Sequence, residues 1–127
     1  MTLEQFKTNK PNVEQLRRQH PEIADLLVGE FADTPNVYDL PAGVVVSWEL
    51  LQEGPGKNPT YGRVPQGQFG FPTEYTEEVT VLAGTLETEV DGDERVLEPG
   101  HAILIGPDKM FNLTVRDEPV LYFCEYR

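Results

Sequence analysis

Histidine is scarce in this chain, with only His20 and His101 among 127 residues. His20 lies in the N-terminal segment and His101 directly follows Gly100 at what reads as a strand start, so both are expected at the surface or at a hairpin end. Two isolated imidazoles do not assemble a histidine-built metal centre. Cysteine occurs once, as Cys124, so no intrachain disulfide can form, in keeping with a reducing compartment. Cys124 falls in the strand-like alternation VLYFCEY, where a thiol behaves as a small buried hydrophobe, and no histidine stands beside it as a base. Positive charge is also in short supply: 10 Lys and Arg face 22 Asp and Glu, for a net charge of -12. That balance opposes nucleic acid and anionic membrane surfaces as partners, and any phosphate-bearing ligand needs a locally positive pocket. No apolar run approaches the roughly 20 residues of a membrane span. The opening MTLEQFKTNK has no apolar stretch of the kind an export signal carries, so the chain is expected in the cytoplasm.

The length suits one domain around one core, and 39% hydrophobic with 25% charged residues is ordinary for a folded protein. From about Asn12 to Phe31 the residues Val13, Leu16, Ile23, Leu26 and Leu27 recur at helix-like spacing, with Pro21 opening a second short helix. Residues 1–35 are therefore expected to form a helical arm or a cap, and 36–127 a β-barrel. LPAGVVVSWELLQEG reads as a first long strand ended by Gly54-Pro55-Gly56, and KNPTYG as a turn. From Tyr61 onward short strands alternate with turn signals, including Gly84, Asp91-Gly92, Pro99-Gly100 and Gly106-Pro107, the pattern of an all-β barrel.

The two-residue period of strands assigns faces. With Glu77 inward, Val79 and Val81 are inward too, followed by Leu86, Thr88 and Val90, while Phe69, Phe71, Phe111, Leu113 and Val115 line the same interior. The expected pocket is aromatic and contains one carboxylate. A lone buried carboxylate is costly unless it is paired or protonated, so Glu77 is expected to have a partner, with Tyr61, Arg63 and Tyr75 as candidates by strand pairing. The bland reading puts Glu77 at a solvated barrel mouth with no role. His101, Ile103 and Ile105 alternate with Ala102 and Leu104, making a strand apolar on both faces, as expected where one face meets the core and the other a second copy.

The segment EEVTVLAGTLETEVDGDERVLEPGHAILIGPDKMFNLTV resembles a cupin, a double-stranded β-helix or jelly-roll-like barrel. Cupins commonly hold a metal through two histidines and a glutamate in a first motif and a histidine in a second. Here Glu77 stands at the glutamate position, whereas Phe71, Thr73 and Phe111 stand near the histidine positions. The resemblance therefore implies a barrel without metal or other cofactor. Glu77, Glu78, Thr80, Val81, Gly84 and Leu86, together with Phe111 and the ending Tyr122, Cys124, Tyr126, further resemble the small single-domain cupins called pyrimidine/purine nucleoside phosphorylases, over roughly residues 60 to 127.

What that resemblance implies is phosphorolysis of a nucleoside to free base and ribose 1-phosphate, with nucleoside and phosphate as the small-molecule partners. Glu77 would be the catalytic carboxylate, accepting ribose hydroxyls or stabilising positive charge on the sugar. Phe69, Phe71, Phe111, Tyr61 and Tyr75 would make the slot for the base, and Arg63 and Lys109 would hold phosphate. Cupins of this kind commonly pair by sheet contact, so a homodimer is expected. The N-terminal residues, lying outside the resemblance, could cap the barrel mouth. The competing expectation is a non-catalytic cupin that binds or senses a small organic ligand. Convergence of Arg63 or Lys109 on Glu77 is the feature that separates the two.

Overall fold

The computed structural model describes Met1–Arg127. Two short helices, α1 (Leu3–Thr8) and α2 (Val13–Gln19), and a 3-10 turn at Pro21–Leu26 precede the strands. α1 begins where the Thr2 hydroxyl accepts from the Gln5 amide and the Gln5 side chain accepts from the Thr2 amide, a reciprocal cap that starts helix well before Asn12. Pro21 opens the 3-10 turn, as a ring with fixed φ does at a first helical position.

The strands are β1 (Glu30–Phe31), β2 (Asn36–Leu40), β3 (Gly43–Leu51), β4 (Thr60–Val64), β5 (Gly67–Pro72), β6 (Glu77–Ala83), β7 (Leu86–Val90), β8 (Asp93–Leu97), β9 (Ala102–Ile105), β10 (Met110–Val115) and β11 (Val120–Tyr126). They form a seven-stranded sheet in the order β1-β3-β4-β11-β6-β9, with β2 also on β3, and a four-stranded sheet in the order β5-β10-β7-β8. Every pairing is antiparallel, and from β5 onward the chain passes back and forth between the sheets. This is the all-β cupin-type barrel with a short helical N-terminal segment.

The expected first long strand is β3, and a strand not expected from sequence, β2, precedes it as the other arm of a hairpin. Pro41 and Ala42 turn the chain so that Leu40 faces Gly43 and β2 runs back along β3. Proline lacks the N–H a ladder needs and presets φ for the second position of a turn, and glycine suits the fourth, so LPAG folds over on itself.

The inner faces of the two sheets enclose one core: Val45 and Val64 with Val79, Val81, Leu86, Phe69, Phe111, Leu113, Val115, Val120 and Cys124. The inward parity read from Glu77 through Val115 holds throughout. A second core lies on the outer face of the large sheet. There Phe6, Leu16, Ile23, Leu27 and Phe31 of the N-terminal segment pack on Val46, Trp48, Leu50, Tyr61, Leu82 and Phe123. Trp48 Nε1 donates to the Phe6 carbonyl at 3.0 Å, fixing α1 to β3. β3 is consequently buried on both sides, which is why it reads as a continuous apolar run with no alternation. The N-terminal segment thus covers the back of the sheet, and no residue before Tyr38 lines the opening between the sheets.

Candidate functional site

A cavity of about 210 Å³ opens between the two sheets. Its walls come from inward positions on facing strands. β6 contributes Glu77 and Val79, and its neighbour β11 contributes Tyr122, Cys124 and Tyr126, every second residue of the C-terminal strand. Phe71 of β5 and Phe111 and Leu113 of β10 form the opposite wall, with Phe71 and Phe111 directly opposed in register. Tyr38 and Ser47 close one side and Lys57, from the β3–β4 loop, reaches in from the mouth.

β4 shapes this cavity by what it omits. A Cβ at Gly62 would lie 2.3 Å from Cζ of Tyr122. Only glycine leaves room for the Tyr122 ring to lie flat over the β4 backbone, so the ring becomes a wall of the cleft. Two residues earlier, on the same face of β4, Thr60 Oγ1 lies 3.2 Å from the Tyr126 hydroxyl and holds the last tyrosine of the strand.

Glu77 is half-buried, and its partner is one that reasoning from strand pairing did not name. β6 pairs with β11 and β9, never with β4, so the neighbour it meets is Cys124, whose Sγ donates to Glu77 Oε1 at 3.6 Å. Burial raises the Glu77 pKa above the ordinary carboxylate value, while the thiol hydrogen bond and the charge of Lys57 pull it partway back. Burial pushes the Cys124 thiol, and the Tyr122 and Tyr126 phenols, well above their usual ranges. All three stay neutral at pH 7, leaving Glu77 as the only carboxyl group and Lys57 as the only cationic side chain lining the cavity. Cys124 therefore acts as a hydrogen-bond donor to the carboxylate and not as a nucleophile.

The expected site residues separate into groups. Glu77, Phe71 and Phe111 share the cleft. Phe69 is buried one layer behind, its ring stacked on Phe71 with centroids 6.4 Å apart. Tyr75 sits at the mouth, edge-on to Tyr126 at 6.4 Å. Tyr61 and Arg63 lie on the other side of β4. Tyr61 packs against Phe6 at 5.2 Å and Phe31 at 6.1 Å, and burial raises its phenol to about 12. Arg63 points the same way, opposite Val46 and Leu121, with its Nε unpartnered. Lys109 is outside the barrel, bound to Asp91 at 2.6 Å. Neither expected phosphate ligand converges on Glu77. Every residue of β4 is buried, so the alternation that would have assigned its faces is invisible in sequence. The available signal lay in the tail, where Tyr122, Cys124 and Tyr126 recur with the period of a strand. Lys57 carried none, since only the folded loop brings it over the mouth.

The positions where cupins hold a metal carry no imidazole in this chain. Phe71 and Phe111 offer rings where imidazoles would stand. Thr73 is turned away, its hydroxyl donating to the Gly106 carbonyl at 2.8 Å and accepting from the Lys109 amide at 2.9 Å. Glu77 is then the single charged oxygen donor, and this donor set does not fit a first-row metal.

Comparison with known proteins identifies the family. The family pyrimidine/purine nucleoside phosphorylase matches residues 35–126. The pyrimidine/purine nucleoside phosphorylase of Pectobacterium carotovorum is 34% identical over 93 residues, covering 72% of this chain and 97% of that protein. The one from Edwardsiella ictaluri is 36% identical over 67 residues, 51% of this chain and 70% of its own length. Among solved structures, a protein of unknown function from Vibrio parahaemolyticus superposes with a TM-score of 0.63 at 26% identity, covering 74% of this chain and 99% of that one. The Clostridium difficile EutQ protein shares the fold alone, with a TM-score of 0.57 at 24% identity over 65% of this chain and 68% of that one. The family match and the near full-length alignment place the conclusion beyond a shared barrel: this chain belongs to the pyrimidine/purine nucleoside phosphorylase family.

Proposed function

We propose that this protein carries out metal-independent phosphorolysis of purine or pyrimidine nucleosides in the cytoplasm. A hydrogen phosphate oxygen attacks the anomeric carbon, the bond from that carbon to the base nitrogen breaks with its electron pair leaving on the base, and the base takes up, through solvent, the proton that the phosphate gives up on becoming an ester. The products are free base and ribose 1-phosphate. The observation that carries the reading is a single half-buried carboxylate, Glu77, facing a wall of Phe71 and Phe111 across the cleft. Glycosidic cleavage passes through a sugar with oxocarbenium character, and a carboxylate held in an apolar cleft stabilises that charge far more than one in water. The same oxygens accept hydrogen bonds from ribose hydroxyls. The flat apolar wall suits a base, whose faces are aromatic.

The slot is tested through Phe71, which is only partly buried and so can be truncated without emptying the core. Stacking of a base on an aromatic side chain contributes about 1–3 kcal/mol. Phe71→Ala is accordingly expected to raise KM for nucleoside by roughly tenfold or more while KM for phosphate changes little. An unchanged nucleoside KM would remove Phe71 from the base site.

The positions of Arg63 and Lys109 favour a second reading, a cupin that binds a small organic ligand without turning it over. Retention of nucleoside on the protein with no base released, at any phosphate concentration, is the result that would select it.

The homodimer belongs to the same proposal. The N-terminal segment occupies the outer face of β3, β4 and β11, and sheet contact between copies is assigned to the outer face of β9, where Leu104 is 59% exposed beside Glu78. Sedimentation should give a dimer that Leu104→Lys converts to monomer. A wild-type chain that stays monomeric at high concentration would contradict it.

A further inference from the structure

Phosphorolysis needs a site for an anion, and the ligands expected from sequence lie elsewhere in the fold. Resting on the phosphorolysis reading, we propose that Lys57 is the phosphate-recognition residue of the cleft, carried over the mouth by the loop between β3 and β4.

Three observations converge on it. First, Lys57 is the only cationic side chain lining the cavity, which it shares with Glu77, Phe71 and Phe111. Second, it makes no ion-pair contact. Six of the ten Lys and Arg residues of this strongly acidic chain are ion-paired: Lys10, Arg17, Arg95, Lys109, Arg116 and Arg127. Lys57 is paired with none of the carboxylates. Its ammonium rests instead over two rings, 4.5 Å from the centroid of Tyr126 and 5.4 Å from that of Tyr75. A cation over aromatic faces keeps its charge and gives up part of its hydration, yet it has open donor positions for an incoming oxyanion. Third, the loop is built to hold the lysine while allowing it to shift. Asn58 anchors the returning end, its Oδ1 accepting from the Gln52 amide at 3.2 Å and its Nδ2 donating to Glu49 at 3.4 Å. Gly54 and Gly56, both at positive φ, have nothing within 4 Å of where a Cβ would stand. The stretch before Lys57 is therefore glycine-hinged and unpacked.

Placement follows from charge. Glu77 repels a phosphate dianion from the inner wall, and Lys57 attracts it at the mouth, so the anion enters on the lysine side while the sugar lies between the two charges. The net charge of -12 does not prevent this, because screening confines long-range repulsion to roughly 8 Å at physiological salt.

The test uses the full chain and inorganic phosphate, followed by phosphorus NMR titration and by kinetics, in wild type, Lys57→Met and Lys57→Arg. A hydrogen bond to a charged group supports a loss of roughly ten- to a hundredfold in phosphate affinity for Lys57→Met, with a matching rise in KM for phosphate. Lys57→Arg should recover most of that affinity, nucleoside KM should stay within a few-fold in both variants, and Tm without phosphate should fall by no more than a few degrees in Lys57→Met, the size of a lost cation–π contact at an exposed site. Phosphate affinity unchanged in Lys57→Met would overturn the assignment, as would a wild type that binds no phosphate. Phosphorolysis that proceeds normally in Lys57→Met would also overturn it while leaving the reaction itself in place. Phosphate binding that depends on Lys57 in a protein releasing no base would do the reverse, keeping the anion site and removing phosphorolysis.

Discussion

Glu77→Gln is expected to reduce phosphorolysis by about two to three orders of magnitude, the size of effect seen when a preorganised electrostatic group is removed from a transition state. The glutamine keeps the shape and an oxygen that can accept from Cys124, so what is lost is the charge. Stability should move the other way. Burial raises the pKa of Glu77 above its ordinary value near 4.5, so the native state holds this proton more tightly than the unfolded chain. Below pH 4.5 both states are protonated and the native preference for the neutral acid is fully present. As pH rises through the raised native pKa that contribution is lost, because the ionised carboxylate is better solvated in the unfolded chain. Glutamine never ionises. Relative to wild type, Glu77→Gln should therefore gain in Tm above pH 4.5, and the difference should close at lower pH. The wild-type rate should carry an acid limb lying above the ordinary carboxylate value, absent from the residual rate of the variant. A Glu77→Gln protein with wild-type turnover would leave the carboxylate without a chemical role.

Phe6→Ala is expected to cost about 3–5 kcal/mol of stability, since it removes a fully buried ring from the second core. Against a typical total of about 5–15 kcal/mol this leaves a protein that is folded in the cold but melts early. Trp48 reports the change directly. It is the only tryptophan of the chain, it is buried under α1, and its indole N–H is bonded to the Phe6 carbonyl, so loosening the helix should shift its emission to the red. Kinetic constants measured below the transition should stay close to wild type, because nothing before Tyr38 lines the cleft. A large change in nucleoside KM with Tm unaltered would instead mean that the N-terminal segment does act at the mouth of the barrel.

The barrel was legible in sequence because its inner strands alternate. Glu77, Val79 and Val81, and again Phe111, Leu113 and Val115, mark one face at a period of two, and the glycine turns between them set the strand lengths. Glu77, Phe71 and Phe111 could be brought together for the same reason. Where both faces of a strand are covered the period disappears. β4 has apolar or tightly packed neighbours on each side, so Tyr61 and Arg63 could be assigned inward only by assumption; both turn away from the cleft, and Tyr61 packs into the second core. That core was itself hidden, because it depends on the N-terminal helices returning to a sheet face, and nothing local in Phe6 or Trp48 announces the contact. Lys57 is the extreme case. It sits in a polar turn of glycine, proline and asparagine, and becomes part of the cleft only because the loop folds back against Tyr75 and Tyr126.

The most direct measurement is release of free base from a panel of purine and pyrimidine nucleosides by the chelator-treated protein, followed by chromatography with and without phosphate. A cleft built on Glu77 and its aromatic wall predicts release that requires phosphate, survives chelation and yields one ribose 1-phosphate for each base. Base release abolished by chelation, or no release from any nucleoside with phosphate present, would contradict it.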